Sequence, residues 1–201
     1  MTYDIRLLIN HSISEKLYFF DANLWIKILR PQTPPSKRDQ KYLDFFQKFK
    51  NHPHHPKIAI TSLVLSEVIN RLLREVGYQK YITEQKIDKS TIQKDYYKRV
   101  YRQTKHFAAL YESICDDIWG YENFYVLLDD ELGDLITSDQ ILSPPPKGLD
   151  FNDRYYFLLA KHKKIPIVTD DADFFVEGVT ILTLNDNLYQ RGKDSIVPKI
   201  N

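Results

Sequence analysis

Between Leu149 and Phe174 the chain reads LDFNDRYYFLLAKHKKIPIVTDDADF, a run that few folds can accommodate. Asp150 precedes Asp153 by three residues, the spacing of an N-cap and an N3 position. The following YYFLLA is apolar on nearly every side, which predicts a buried helix. Asp153 shares its helical face with Phe157 and Ala160, so a carboxylate heads a stripe that belongs in a core. Such a charge is costly unless it caps, pairs or binds a metal. Ile165-Pro166-Ile167-Val168 then predicts a buried strand running into Thr169-Asp170-Asp171-Ala172-Asp173. Acids just past the carboxyl end of a strand stand where open α/β sheets bind their ligands.

The same grammar recurs upstream. Leu17-Tyr18-Phe19-Phe20 is a compact apolar run that stops at Asp21, and Leu24, Trp25, Ile28 and Leu29 follow with helical spacing. Asp21 therefore falls at a strand-to-helix junction, where a plain helix cap is the competing reading. Ile58-Ala59-Ile60 predicts another strand, and Thr61 or Ser62 caps a helix running to about Val76. Glu67 lies on that helix with Arg71 at i+4, the arrangement of an ordinary surface pair. Phe124–Leu128 is a third strand followed by Asp129, Asp130, Glu131 and Asp134, and Val179–Leu182 is the last. Residues 1–16 hold a short leading strand or an ordered lead-in. The polar tail from Asn185, with one apolar pair at Ile196 and Val197, is expected to be partly disordered or a contact segment.

Strands alternating with helices predict an open α/β fold: a parallel sheet with helices on both faces. With 201 residues, the chain suits a single domain, 1–201, carrying a helical insertion over about 77–120. Within that insertion Ser90-Thr91-Ile92-Gln93 matches a capping box, and apolar or aromatic residues continue a helical seam to 118. Lys94, Lys98, Arg102 and Lys105 fall at helical spacings of one side. A solvated helix face is the ordinary reading of such a stripe; interleaved with Tyr96, Tyr97 and Tyr101, it also suits RNA binding.

Composition excludes several classes. The single cysteine, Cys115, rules out an internal disulfide and a Cys-rich zinc site. His52, His54 and His55 are interleaved with Pro53 and Pro56, lack patterned acids or cysteines nearby, and read as a surface loop rather than a metal cluster. The run Leu17–Leu29 is interrupted by Asp21, Asn23 and Lys27, no signal peptide is visible, and a cytoplasmic chain with no membrane segment is expected. A net charge of +1 argues neither for nor against nucleic acid. There is no Walker loop, GxSxG or GxGxxG, and six glycines leave little scope for phosphate-cradling loops. Asn23 stands where a haloacid-dehalogenase-type phosphatase needs its second Asp. The acidic pair and later Lys of a response-regulator receiver are not laid out either.

Carboxylates thus recur near strand ends at Asp21, Asp153 and Asp171, and Glu67 joins them if its helix leans over the same edge. Clustered acids repel, and a hard cation, magnesium (Mg2+) or manganese (Mn2+) rather than zinc, would neutralise them. FFDANLWI, ITSLVLSEVINRL and FNDRYYFLLAKHKKIPIVTDDADF together resemble the ordered motifs of the PIN-domain family, metal-dependent ribonucleases that include VapC-type toxins. The resemblance covers about half the chain and is strongest from Asp153 to Phe174. It implies Asp21, Glu67, Asp153 and Asp171 as an acidic catalytic quartet binding Mg2+ or Mn2+, with Asp173 as a further ligand. Asn23 and Thr169 would support it. Asp171 is preferred to Asp170 because the T-x-D pattern places it there. The activity implied is RNA phosphodiester hydrolysis, with an antitoxin protein and a second copy of the chain as expected partners. A non-catalytic scaffold of the same fold that binds RNA or protein is the alternative. A third reading is an interaction module whose acids are caps and ion-pair partners.

Overall fold

The computed structural model describes residues 3–146 and 148–196. The strands are β1 (Asp4–Leu7), β2 (Leu17–Phe20), β3 (Lys57–Ile60), β4 (Tyr125–Leu127), β5 (Ile167–Val168) and β6 (Thr180–Thr183). The helices begin with α1 (Ala22–Leu29), α2 (Lys37–Lys50), α3 (Ser62–Arg71), α4 (Gln79–Glu84) and α5 (Tyr96–Arg99). They continue with α6 (Lys105–Trp119), α7 (Ser138–Leu142), α8 (Phe151–Lys163) and α9 (Asp186–Ile196). The chain divides into two compact units, Met1–Val64 with Phe124–Asn201, and Leu65–Asn123.

The first unit carries the sheet. Its strands pair only in parallel, in the order β1-β6-β5-β2-β3-β4. From β2 the chain winds outward to β3 and β4, then returns to lay β5 on the other side of β2 and continues outward to β6. The order therefore reverses between β2 and β5, and the crevice at such a switch point is where open α/β sheets hold ligands. Leu17, Phe19 and Phe20 are registered with Lys57, Ile167 and Val168.

Both faces are covered. Phe20 meets Phe45, Phe46 and Phe49 of α2, whereas Phe19 meets Tyr156 of α8 at 4.9 Å. Adjacent strand residues point to opposite faces, so α2 and α8 sandwich the sheet, as the alternation of elements predicts. Arg154 to Ala160 are all buried along α8. Its start is the predicted one: Asp150 accepts from Asp153 N at 2.9 Å, and Asp153 accepts in return from Asp150 N. The helix stops at Lys164, whose φ of 55° lies in the left-handed region.

Of the two readings of the opening residues, the leading strand is the one that forms: β1 is an edge of the sheet. Within the tail, Asp186–Ile196 forms the helix α9, with Leu188 N capped by Asn185 Oδ1 at 3.2 Å and the Leu188 side chain buried. The Ile196 and Val197 side chains lie outside the described residues. The acidic run after β4 is partly bonded: Asp130 accepts from Ser62 Oγ at 2.8 Å, and Lys163 pairs with Glu131.

In the second unit α3 runs on as a π-helical stretch, Leu72–Tyr78, into α4. A Cβ on Gly77 would lie 2.0 Å from Leu110 Cδ2, so any larger residue here would have to displace the Leu110 side chain of α6. The predicted capping box at Ser90 does not form. Asp88 instead caps a short 3-10 turn, accepting from Ser90 N at 2.9 Å, and Ile92 is already extended. The helical seam is likewise broken. Lys94 sits in a turn, Lys98 in α5, Arg102 in a 3-10 turn and Lys105 at the start of α6, so these four do not line one helix. Thr104 causes the last break by capping α6, its hydroxyl accepting from Phe107 N at 3.1 Å.

Candidate functional site

The carboxyl ends of β2 and β5 deliver Asp21 and Thr169 side by side at the switch point. Both strand ends are held by backbone bonds, Asp21 N to Val168 O at 3.1 Å and Thr169 N to Leu182 O at 3.1 Å. Asp21 occupies the N-cap position of α1, yet its side chain makes no capping bond. Its Oδ2 accepts from Thr169 Oγ1 at 2.7 Å and from Asn23 Nδ2. Asp21 is only 4% exposed and Thr169 is fully buried. A carboxylate this deep depends on such donors, and removing either strips a compensating bond from a nearly buried group.

The network extends along the TDDAD loop. Thr169 Oγ1 accepts from Asp171 N at 2.9 Å, so one hydroxyl donates to Asp21 while receiving the backbone of Asp171. Asp171 Oδ1 in turn accepts from Asp173 N at 2.8 Å. Asn23 closes the circle, since Asp170 N donates to its Oδ1 at 3.3 Å. Asp21, Asn23, Thr169, Asp171 and Asp173 thus form one connected set.

Asp170 has a different occupation. Its carboxylate meets Lys27 Nζ at 3.3 Å, Arg38 Nε at 3.4 Å and the Tyr42 hydroxyl at 3.2 Å. Lys27 also pairs with Asp39, whose carboxyl is pushed up by burial but held below its ordinary value by the Lys27 and Ser36 bonds. Tyr42 accepts from Leu184 N at 2.8 Å and faces Thr169 O at 3.1 Å, which leaves its single proton for that carbonyl or for Asp170. Burial, first of all, raises the Tyr42 pKa well above a free phenol's, so it stays a donor. Sequence reasoning missed Tyr42, Lys27 and Arg38. On α2, Tyr42 looks like one more residue of an apolar stripe, and nothing local marks its reach to a distant loop.

Asp153 is engaged in the reciprocal cap of α8. Glu67 falls in the second unit, where Arg71 Nη1 lies 3.8 Å from it and Arg71 Nε also reaches Glu75 at 3.2 Å. The donor chemistry of the Asp21–Asp171 loop, hard carboxylate oxygens, suits a magnesium- or manganese-sized ion. The donor count falls short. Among the described residues no group of three or more His, Cys, Asp or Glu side chains is gathered closely enough to hold a metal.

No family model matches the chain, and no curated protein of similar sequence does. Among solved structures it is similar to the crystal structure of VapBC2 from Rickettsia felis bound to a DNA fragment from their promoter. The similarity is 16% in identity, with a TM-score of 0.45, over 83% of this chain and 98% of that one. At that level the similarity bears on neither activity nor partner. Among the described residues no helix is long and apolar enough to cross a membrane.

Proposed function

We propose that this chain is a metal-dependent endoribonuclease that hydrolyses RNA phosphodiester bonds at the carboxyl edge of β2 and β5. One observation carries the reading: Asp21, Asn23, Thr169 and Asp171, singled out by the PIN-family resemblance, are joined by hydrogen bonds at the switch point of the sheet. In such a reaction a water oxygen bonds to phosphorus as the bond to the leaving oxygen breaks, and a proton from the water ends on that oxygen. The chain's own part is positioning. The Thr169 hydroxyl donates to Asp21 and fixes the backbone that carries Asp171.

The reading includes Mg2+ or Mn2+ as cofactor, with Asp21 and Asp171 as principal ligands and Asp153, Glu67 and Asp173 as further ones. Among the described residues no three acids are gathered closely enough to hold a metal, so the cation belongs to the proposal and to its test. The reading extends to the toxin half of a toxin–antitoxin pair, with a protein antitoxin and a second copy of the chain as partners.

The test is cleavage of a mixed-sequence RNA panel by the purified chain with magnesium, with manganese, and with chelator. Metal-dependent cleavage lost in both Asp21→Asn and Asp171→Asn supports the proposal. An intact chain that cuts no RNA under any of these conditions leaves the non-catalytic scaffold as the better reading.

A further inference from the structure

The second unit carries a cleft of about 700 Å3 whose lining includes Arg74, Tyr78, Lys94, Asp95, Tyr97 and Lys98. That volume lies within the roughly 300–1,000 Å3 typical of small-ligand sites. Arg74 and Tyr78 are held by the π-helical stretch, a wide-turned geometry that recurs at functional positions. Lys94 and Lys98 come from the opposite segment, where the broken helix turns them toward the same space.

Charge in the cleft is one-sided. Its one acid, Asp95, is taken by Arg99, with Nε and Oδ2 2.6 Å apart. Among the described residues no carboxylate lies within ion-pair distance of Arg74, Lys94 or Lys98. Three cations are therefore left around a wall that is aromatic rather than acidic. In that wall the Tyr78 and Tyr97 rings meet edge to face at 5.2 Å. Both rest on fully buried Tyr101, at 5.2 and 5.5 Å, which fixes their planes. The Arg74 guanidinium lies over Tyr97 at 5.4 Å, and Arg102 lies over the same ring at 5.4 Å.

Cations around a rigid aromatic wall match a ligand that joins a phosphate to a flat ring. We propose that this cleft binds an unpaired nucleotide of single-stranded RNA. Lys94, Lys98 and Arg74 meet the phosphates, and the base packs against Tyr78 and the Arg74 guanidinium plane. Arg102 serves by stiffening Tyr97 and Lys105 plays no part, so the working set differs from the helical stripe read off the sequence. The choice of RNA rests on the nuclease reading; the presence of a nucleotide site does not, since binding needs no cleavage.

The test is fluorescence anisotropy of a short fluorescein-labelled single-stranded RNA with the full chain in chelator, across a salt series. Lys94→Ala with Lys98→Ala should weaken binding for every sequence tried. It should also lower the salt slope by about 1.4, at roughly 0.7 per lost phosphate contact. Tyr78→Leu should weaken binding by roughly 5- to 150-fold while leaving the salt slope in place, the signature of a lost stacking surface. Lys94 and Lys98 are exposed, so their double variant carries the test even if Tyr78→Leu fails to fold. Binding is read in chelator, without cleavage, which separates this site from the nuclease reading. Wild-type affinity and salt slope in the lysine double variant would overturn the proposal, as would duplex RNA bound as tightly as the single strand.

Discussion

The Thr169 hydroxyl donates to Asp21 Oδ2 at 2.7 Å across 148 positions of sequence, and the same oxygen receives the Asp171 backbone N–H at 2.9 Å. One buried hydroxyl therefore ties the ends of β2 and β5 to each other and to the acidic loop. Thr169→Val keeps the shape and deletes the bond. It should cost about 1–3 kcal/mol of stability, because Asp21 stays buried with one donor fewer. RNA cleavage should fall more than that loss explains, so activity is to be compared below the melting transition, where both proteins are folded. Undiminished cleavage would show that Thr169 does not position Asp21.

Cation binding provides a second prediction. If ions gather the carboxylates, magnesium or manganese should raise the melting temperature by binding only the folded chain. At a concentration 100 times the dissociation constant the gain is about 2.7 kcal/mol. Asp171→Asn should blunt the shift, and His54→Ala should not. A wild-type melting curve indifferent to both ions would remove the metal site.

Asp170 separates stability from activity. Its carboxylate is spent on Lys27, Arg38 and Tyr42, so Asp170→Asn should cost about 1.5–3 kcal/mol in chemical denaturation. Cleavage by the folded variant should persist within a few-fold. Loss of cleavage as complete as in Asp171→Asn would instead make Asp170 the ligand.

His11 should make stability depend on pH. The Tyr18 hydroxyl accepts from Ser14 N at 3.1 Å and Glu15 N at 3.2 Å, so its own proton points to His11 Nε2 at 3.1 Å. That nitrogen must be an acceptor, which requires neutral imidazole. Burial first, then the nearby Arg6 charge, lower the His11 pKa below 6.5, with Glu15 opposing. A histidine depressed in the folded state contributes stability that is fully present above the unfolded value and is lost as pH falls through the folded one. Unfolding midpoints should therefore decline with acid below about pH 6.5, and His11→Ala should flatten that decline. An NMR titration placing the His11 midpoint above 6.5 would contradict the hydrogen-bond assignment.

Short-range energetics were legible in the sequence. Asp150 and Asp153 form the cap that their spacing requires, the YYFLLA run is buried, and apolar runs ending in acids are strands of a parallel sheet. Each of these is decided within about one helical turn or one strand length, where capping and periodicity act. The continuous helix expected over residues 94–105 fails for the converse reason. Periodic spacing over residues 94–105 is compatible with one helix, but α5 ends at Arg99 and Thr104 caps a new helix, breaks that periodicity does not register.

Tertiary structure alone decided which strand ends meet. The sequence supplies Asp21, Thr169, Asp170 and Asp171 as acids and a hydroxyl at equivalent strand ends, but any of them could be a cap or a surface charge. Only the return of β5 to the flank of β2 brings Thr169 to Asp21, and only the passage of α1 and α2 near the loop diverts Asp170 to Lys27, Arg38 and Tyr42. Strand order and helix placement are set by burial summed over the whole sheet, a non-directional driving force proportional to area. No window of sequence contains that sum, so the chain alone names the candidates and the packed sheet selects among them.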